Sequence, residues 1–139
     1  MIHFNNENDF QLPAPQEYER WINQIILSEK HRLGEINYVF CDDEFLLKIN
    51  QEYLSHDTYT DIITFDYKVG RELFSDIYIS TDRVKENAEK FGVSFENELK
   101  RVMAHGILHL CGYSDATDAE KRIMREKENE KIDMFHVEH

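Results

Sequence analysis

Two histidines four residues apart, a glycine three residues later and a carboxylate three beyond that constrain this chain more than any other feature: His105, His109, Gly112 and Asp115. On a helix, positions i and i+4 share a face with Cβ atoms roughly 5–6 Å apart, so both imidazoles can reach one metal ion. For the carboxylate to join them the helix must stop and the chain must turn back. Gly112 can take the left-handed conformation that does this. Two imidazoles and a carboxylate leave a fourth position open, which is the donor set of a catalytic zinc site rather than a closed structural one. The pattern therefore predicts one Zn²⁺ per chain, held by His105, His109 and Asp115. The helix that carries it also bears Leu99, Val102, Met103, Ile107, Leu108 and Leu110, which mark it as buried.

The spacing is that of the long zinc-protease pattern His-Glu-x-x-His-x-x-Gly-x-x-His, with two departures. Asp115 replaces the third histidine, a mild change, since aspartate is a normal zinc ligand. It adds negative charge to the site, which weakens the ion as a Lewis acid and also suits harder ions such as Mn²⁺. Gly106 stands where a protease keeps the glutamate that takes a proton from the metal-bound water, and that change is severe. Phosphodiester hydrolysis leans more on charge stabilisation and positioning, so the missing glutamate favours it over peptide cleavage. Gly106 can also serve packing, letting a neighbour lie close to the helix. The alternative for the histidines themselves is a chance pair, one buried and one facing solvent.

At 139 residues the chain fits one domain, residues 1–139, with a core that needs no staples. It has no long apolar run and no signal-peptide pattern at its start, so a cytoplasmic protein that neither spans a membrane nor is exported is expected. Cys41 and Cys111 read as reduced core thiols. Cys111 is offset by two from His109, which points it away from the metal. The net charge of −12 argues against non-specific coating of nucleic acid. That charge is uneven: residues 1–66 hold 13 acidic and 4 basic side chains, residues 67–139 hold 15 and 12. Most of those cations are expected to pair with glutamates at helical spacing on solvated faces.

Along the chain, residues 1–15 read as a leading strand or loose arm, and 16–33 as an amphipathic helix burying Trp21, Ile22, Ile25 and Ile26, stopped by Leu33-Gly34. Residues 36–41 alternate as a strand. Asp42 or Asp43 can cap a helix to about Tyr53, followed by a polar loop over 54–59. Residues 61–67 and 73–80 suggest a hairpin about Lys68–Arg71. Thr81 or Asp82 then caps a helix stopped at Gly92, and Ser94 caps the motif helix. Thr117-x-x-Glu120 is a capping box opening a last helix with Ile123, Met124 and Ile132 inward. The tail from Met134 is expected to fray, with His136 and His139 solvated. The pattern is α+β: a mixed sheet covered by helices, with the metal motif on a buried helix.

The segment His105–Asp115 resembles the signature of the YbeY-type metallo-endoribonucleases of bacteria, His-Gly-x-Leu-His-Leu-x-Gly-Tyr-Asp-His. It agrees at nine of eleven positions, counting the two unspecified ones, and departs at Ser114 and Asp115. Asn50-Gln51-Glu52-Tyr53 and Thr60-Asp61-Ile62-Ile63-Thr64-Phe65 resemble the family's Asn-x-x-Tyr and Thr-Asp-Val-Leu-Ser-Phe segments. Ser75-Asp76-Ile77-Tyr78-Ile79-Ser80 resembles its Gly-Asp-Ile-x-Ile-Ser strand. The likeness runs from about Ile36 to Ile132. It implies a zincin-like fold and a zinc-dependent hydrolase that cuts single-stranded RNA. It further implies a role in 3′-end maturation of 16S ribosomal RNA and in ribosome quality control, with ribosome or ribosomal-protein contacts. The family usually has an arginine directly after the Asn-x-x-Tyr tyrosine, where this chain has Leu54; His56 is the nearest candidate to serve in its place. Tyr53, Tyr59, Tyr67 and Tyr113 are candidates to stack a base, although such residues are more often rim or core aromatics. The alternative functions are a non-enzymatic ribosome-assembly factor stabilised by zinc and, more remotely, a metalloprotease.

Overall fold

The computed structural model describes residues 1–56 and 58–137; His136 and His139 lie outside the residues whose side chains are described. Among the described residues nine elements follow one another: β1 (Ile2–Asn6), α1 (Pro15–Ser28), β2 (Arg32–Cys41), α2 (Asp43–Leu54), β3 (Ile62–Asp66), β4 (Glu72–Ser80), α3 (Thr81–Phe91), α4 (Phe95–Leu110) and α5 (Asp118–Val137). The four strands form one mixed sheet in the order β1-β2-β4-β3. β1, β2 and β4 run parallel, and β3 returns antiparallel to β4 as the edge, the expected hairpin. This is the α+β domain that the sequence pattern predicts.

Period-two alternation divides the sheet side chains between two helical layers. Ile36, Tyr38 and Phe40 of β2 and Leu73, Ile77 and Ile79 of β4 form the main core with α1, α3, α4 and Phe135 of α5. Cys41, Ile63, Phe65 and Tyr78 face the other way and meet Phe45, Leu46 and Ile49 of α2. α4 is sealed on the first face, with Met103, Ala104, Ile107 and Leu108 fully buried. Where the Tyr38 hydroxyl is buried beside α4, it donates to the Met103 carbonyl at 3.1 Å.

Four local expectations need correction. α1 ends at Ser28, not at Leu33-Gly34. Lys30 turns left-handed at φ 61°, and Arg32 already donates across to the Arg71 carbonyl at 2.8 Å, so Leu33 and Gly34 belong to β2. Gly34 sits at a bulge there, where a Cβ would lie 2.6 Å from the Phe74 ring and 2.7 Å from the Leu73 carbonyl. The cap of α3 is Ser80, whose hydroxyl accepts from the Arg83 amide, rather than Thr81 or Asp82. In α5, Ile123 points outward at 49% exposure, because the inward stripe runs through Met124, Glu128, Lys131, Ile132 and Phe135. The chain does not fray at Met134. Phe135 packs edge-on against Trp21, ring centroids 5.3 Å apart, and the Trp21 indole donates to the Lys131 carbonyl at 2.6 Å.

The expected placement of the lysines and arginines on solvated faces holds only in part. Lys131 is buried, with Nζ 2.7 Å from Glu29 and 2.9 Å from the Ser28 hydroxyl. Lys100 is also buried, its ammonium 3.9 Å above the Phe135 ring.

Candidate metal centre

His105 and His109 occupy the last two turns of α4, one turn apart on the face turned toward β3 and α5. Their rings stand nearly perpendicular with centroids 4.8 Å apart. The helix then closes as the glycine spacing predicts. The Gly112 amide donates to the His109 carbonyl and the Tyr113 amide to the Leu108 carbonyl, both at 3.0 Å, with Gly112 at φ 106°. That paired closure reverses the chain. Tyr113 pins the reversal, its hydroxyl donating to Glu29 at 2.7 Å. Asp115 thereby comes back over the histidines, with Oδ2 3.4 Å from His105 Nε2 and Oδ1 3.5 Å from His109 Nε2.

The three ligand atoms lie within 4.8 Å of one another. Donors at zinc bond lengths of about 2.0–2.1 Å stand roughly 3.3–3.4 Å apart at the corners of a tetrahedron. The two aspartate–histidine separations, one to each carboxylate oxygen, are close to that spacing, so the donor set fits a metal ion in chemistry and small side-chain shifts bring all three donors within its reach. His109 and Asp115 are partly open to solvent, which leaves room for a further ligand. Among the described residues no other cluster of His, Cys, Asp and Glu converges in this way. Cys111 contributes nothing to it. Burial pushes its thiol up to about 12, and it packs against the core.

The triad lies in a cleft of about 900 Å³ between α4 and α5 on one side and β3 with the preceding loop on the other. Gly106 sets the approach of α4 to the sheet: a Cβ there would lie 3.1 Å from Ile62 Cδ1 and 3.3 Å from both Ile77 Cδ1 and Thr64 Oγ1. The close neighbours are side-chain ends, so any side chain at this position would have to push them back by a few tenths of an ångström. Leu54 and His56 both border the cleft. So does Tyr59, whose hydroxyl donates to Glu44 and whose ring lies under the Arg83 guanidinium. Tyr53 and Tyr67 are exposed but outside the cleft lining, and Tyr113 is the anchor already described.

Sequence reasoning missed the acidic and basic side chains behind the histidines. His105 Nδ1 lies 2.8 Å from Glu128 Oε2, while Arg101 reaches Glu128 Oε1 at 3.2 Å and Glu98 Oε1 at 3.6 Å. Burial works against a charged His105 ring, yet the Glu128 hydrogen bond and charge hold its pKa above the ordinary value. Burial raises Asp61, although His105 pulls it back, and it raises Glu98, whose buried Oε1 has no hydrogen-bond partner. One signal was present in the sequence: Glu128 falls on the inward stripe of α5, where a carboxylate is out of place unless it is paired.

The endoribonuclease YbeY family model matches residues 3–136. The endoribonuclease YbeY of Flavobacterium johnsoniae is 60% identical over 138 residues, covering 99% of each chain. That of Christiangramia forsetii is 58% identical, covering 99% of this chain and 96% of its own. The solution structure of a Thermotoga maritima protein superposes with a TM-score of 0.66 at 28% identity, covering 99% of this chain and 91% of that one. Matched by the family model over all but its extreme ends, and by relatives at more than half identity, the chain belongs to the endoribonuclease YbeY family.

Proposed function

We propose that residues 1–139 form one zinc-dependent endoribonuclease domain that cuts single-stranded RNA in the cleft beside His105, His109 and Asp115. The observation that carries this reading is the convergence of three metal-competent side chains in an open cleft, in a chain of an endoribonuclease family. The ion, when held by these residues, supplies a Lewis acid and a water activated near neutral pH. The chain's own residues do the rest. His105 and His109 are held rigid on a buried helix, and Asp115 is set by the Gly112 reversal. Gly106 keeps β3 close and supplies no general-base glutamate.

Leu54 leaves an apolar patch where relatives are expected to carry an arginine, so phosphate contact must come from elsewhere on the lining. His56 borders the cleft and is the candidate for proton transfer or phosphate contact. Lys121 and Arg125 border it from α5, and Arg125 is 55% exposed in its side chain. A narrow basic wall in an acidic chain suits local capture of a single strand rather than coating of a duplex.

The biological reading is maturation of the 16S ribosomal RNA 3′ end and ribosome quality control in the cytoplasm, with ribosomal contacts. Among the described residues, no helix is long and apolar enough to cross a membrane. The test is cleavage of a single-stranded 16S 3′ precursor by zinc-loaded protein. Cutting is expected, and it is expected to vanish in His109→Ala and in chelator. Intact RNA after incubation with fully metallated wild type would defeat the nuclease reading. With Leu54 at the arginine position, it would favour a zinc-stabilised assembly factor.

A further inference from the structure

We propose that Glu128 is the positioning residue of the metal centre: it fixes the tautomer and orientation of His105 and thereby sets metal affinity. The inference rests on reading His105 as a metal ligand. An ionised carboxylate can only accept hydrogen bonds. The 2.8 Å contact from Glu128 Oε2 to His105 Nδ1 therefore places the ring proton on Nδ1. In the neutral ring, the form that binds a metal, the lone pair is then left on Nε2, the nitrogen 3.4 Å from Asp115. A ligand histidine backed by a carboxylate is held in one rotamer and made more basic toward the metal.

The rest of the geometry supports this assignment over a merely structural one. Glu128 is 5% exposed, and both of its oxygens are engaged, Oε2 by His105 and Oε1 by Arg101 at 3.2 Å. Arg101 also donates to Asn129 Oδ1, so the guanidinium is tied to two successive residues of α5. A buried carboxylate in a stripe otherwise suited to Met124 and Ile132 is costly unless paired, and an apolar side chain would serve helix packing better. Among the described residues, His109 has no matching carboxylate behind its ring. The two histidines are therefore unequal: α5 sets a carboxylate behind His105, whereas among the described residues His109 meets Asp115 and the His105 ring with no second carboxylate.

The test uses the full chain without RNA, so that failure of cleavage cannot be mistaken for failure of this assignment. Zinc affinity is measured by competition with a chromophoric chelator for wild type, Glu128→Gln and Glu128→Ala. Histidine tautomers are read from nitrogen-15 NMR of the metal-free proteins at a pH high enough for the His105 ring to be neutral, and circular dichroism checks the fold. Glu128→Ala is expected to weaken zinc by about 10–100-fold and to release His105 into a tautomer mixture. Glu128→Gln, which retains an acceptor but loses the charge, is expected to fall between and to keep the Nδ1–H form. Wild-type affinity in both variants, or an unchanged His105 tautomer in Glu128→Ala, would overturn the proposal. Should the alanine variant not fold, the near-isosteric glutamine decides alone, with undiminished affinity the overturning result. His109→Ala is the control for the centre itself; if it binds zinc like wild type, the metal-site reading and this inference fall together.

Discussion

Gly106 follows the first histidine of the motif, and its missing side chain lets α4 lie against Ile62, Thr64 and Ile77. Alanine there would gain about 1 kcal/mol of helix propensity and lose a similar amount to crowding at 3.1–3.3 Å, so Gly106→Ala should be nearly neutral in urea unfolding. Gly106→Glu carries a longer, charged side chain into the same contacts and should cost about 3 kcal/mol or more, with no peptidase activity gained. At the other end of the site, Glu29 accepts from Tyr113 and meets Lys131 and Lys127 at 2.7 and 3.2 Å. Burial alone would raise its carboxyl, but the hydrogen bonds from Lys131, Tyr113 and Lys127 hold it down at about 2 against an ordinary 4.5. A depressed folded pKa means stability that is present above about pH 4.5 and drains as pH falls toward 2. Chemical denaturation should therefore find Glu29→Gln clearly less stable than wild type, by about 2–3 kcal/mol, at pH 6 and nearly equal to it at pH 2.

At the scale of elements, α5 does more than cover the core. It carries Glu128 to His105, Lys131 to Glu29 and Phe135 into the aromatic cluster of Tyr18 and Trp21. Phe135 thus anchors, from its far end, the helix that brings Glu128 to His105. Phe135→Ala should cost about 3–5 kcal/mol in denaturant unfolding, the range for removing a core aromatic. Native-state hydrogen exchange should show the loss first along α5. Uniform acceleration across α4 and the sheet, with α5 unchanged, would show that the anchor had been assigned to the wrong element.

For the whole molecule, the candidate metal site and the core are separate structures. The core clusters contain none of the three candidate ligands, and His109 and Asp115 are 38% and 43% exposed in their side chains. The metal-free protein should therefore remain folded, and zinc should stabilise it by mass action. At a thousand-fold excess over Kd, about 4 kcal/mol is expected. Thermal unfolding should show an increase in Tm of several degrees on zinc addition, abolished in His109→Ala. A protein that lost its circular dichroism in chelator would refute this separation of site and core.

How much was legible in advance follows from what kind of information each feature needs. The convergence of His105, His109 and Asp115, the Gly112 reversal, the Ser94 cap and the β3–β4 hairpin are local: each is set by spacing or turn chemistry within about twenty residues, so the sequence alone determined them, while for α2 it left Asp42 and Asp43 as equal candidates and the structure chose Asp42. The end of α1 was misread because Leu33-Gly34 imitates a helix stop. Only pairing with β4 reveals those residues as strand, with Gly34 beneath Phe74. Ile123 and Phe135 were misassigned because an apolar residue near a helix end can face either way until its neighbour is known. Glu128 and Arg101 lie 27 residues apart in sequence and meet only when α5 docks on α4. What tertiary structure alone decided is thus the environment of the site: which cleft the triad faces, which carboxylate stands behind which histidine, and how closely β3 approaches. Those depend on contacts between elements distant in sequence, whose energies no local pattern records.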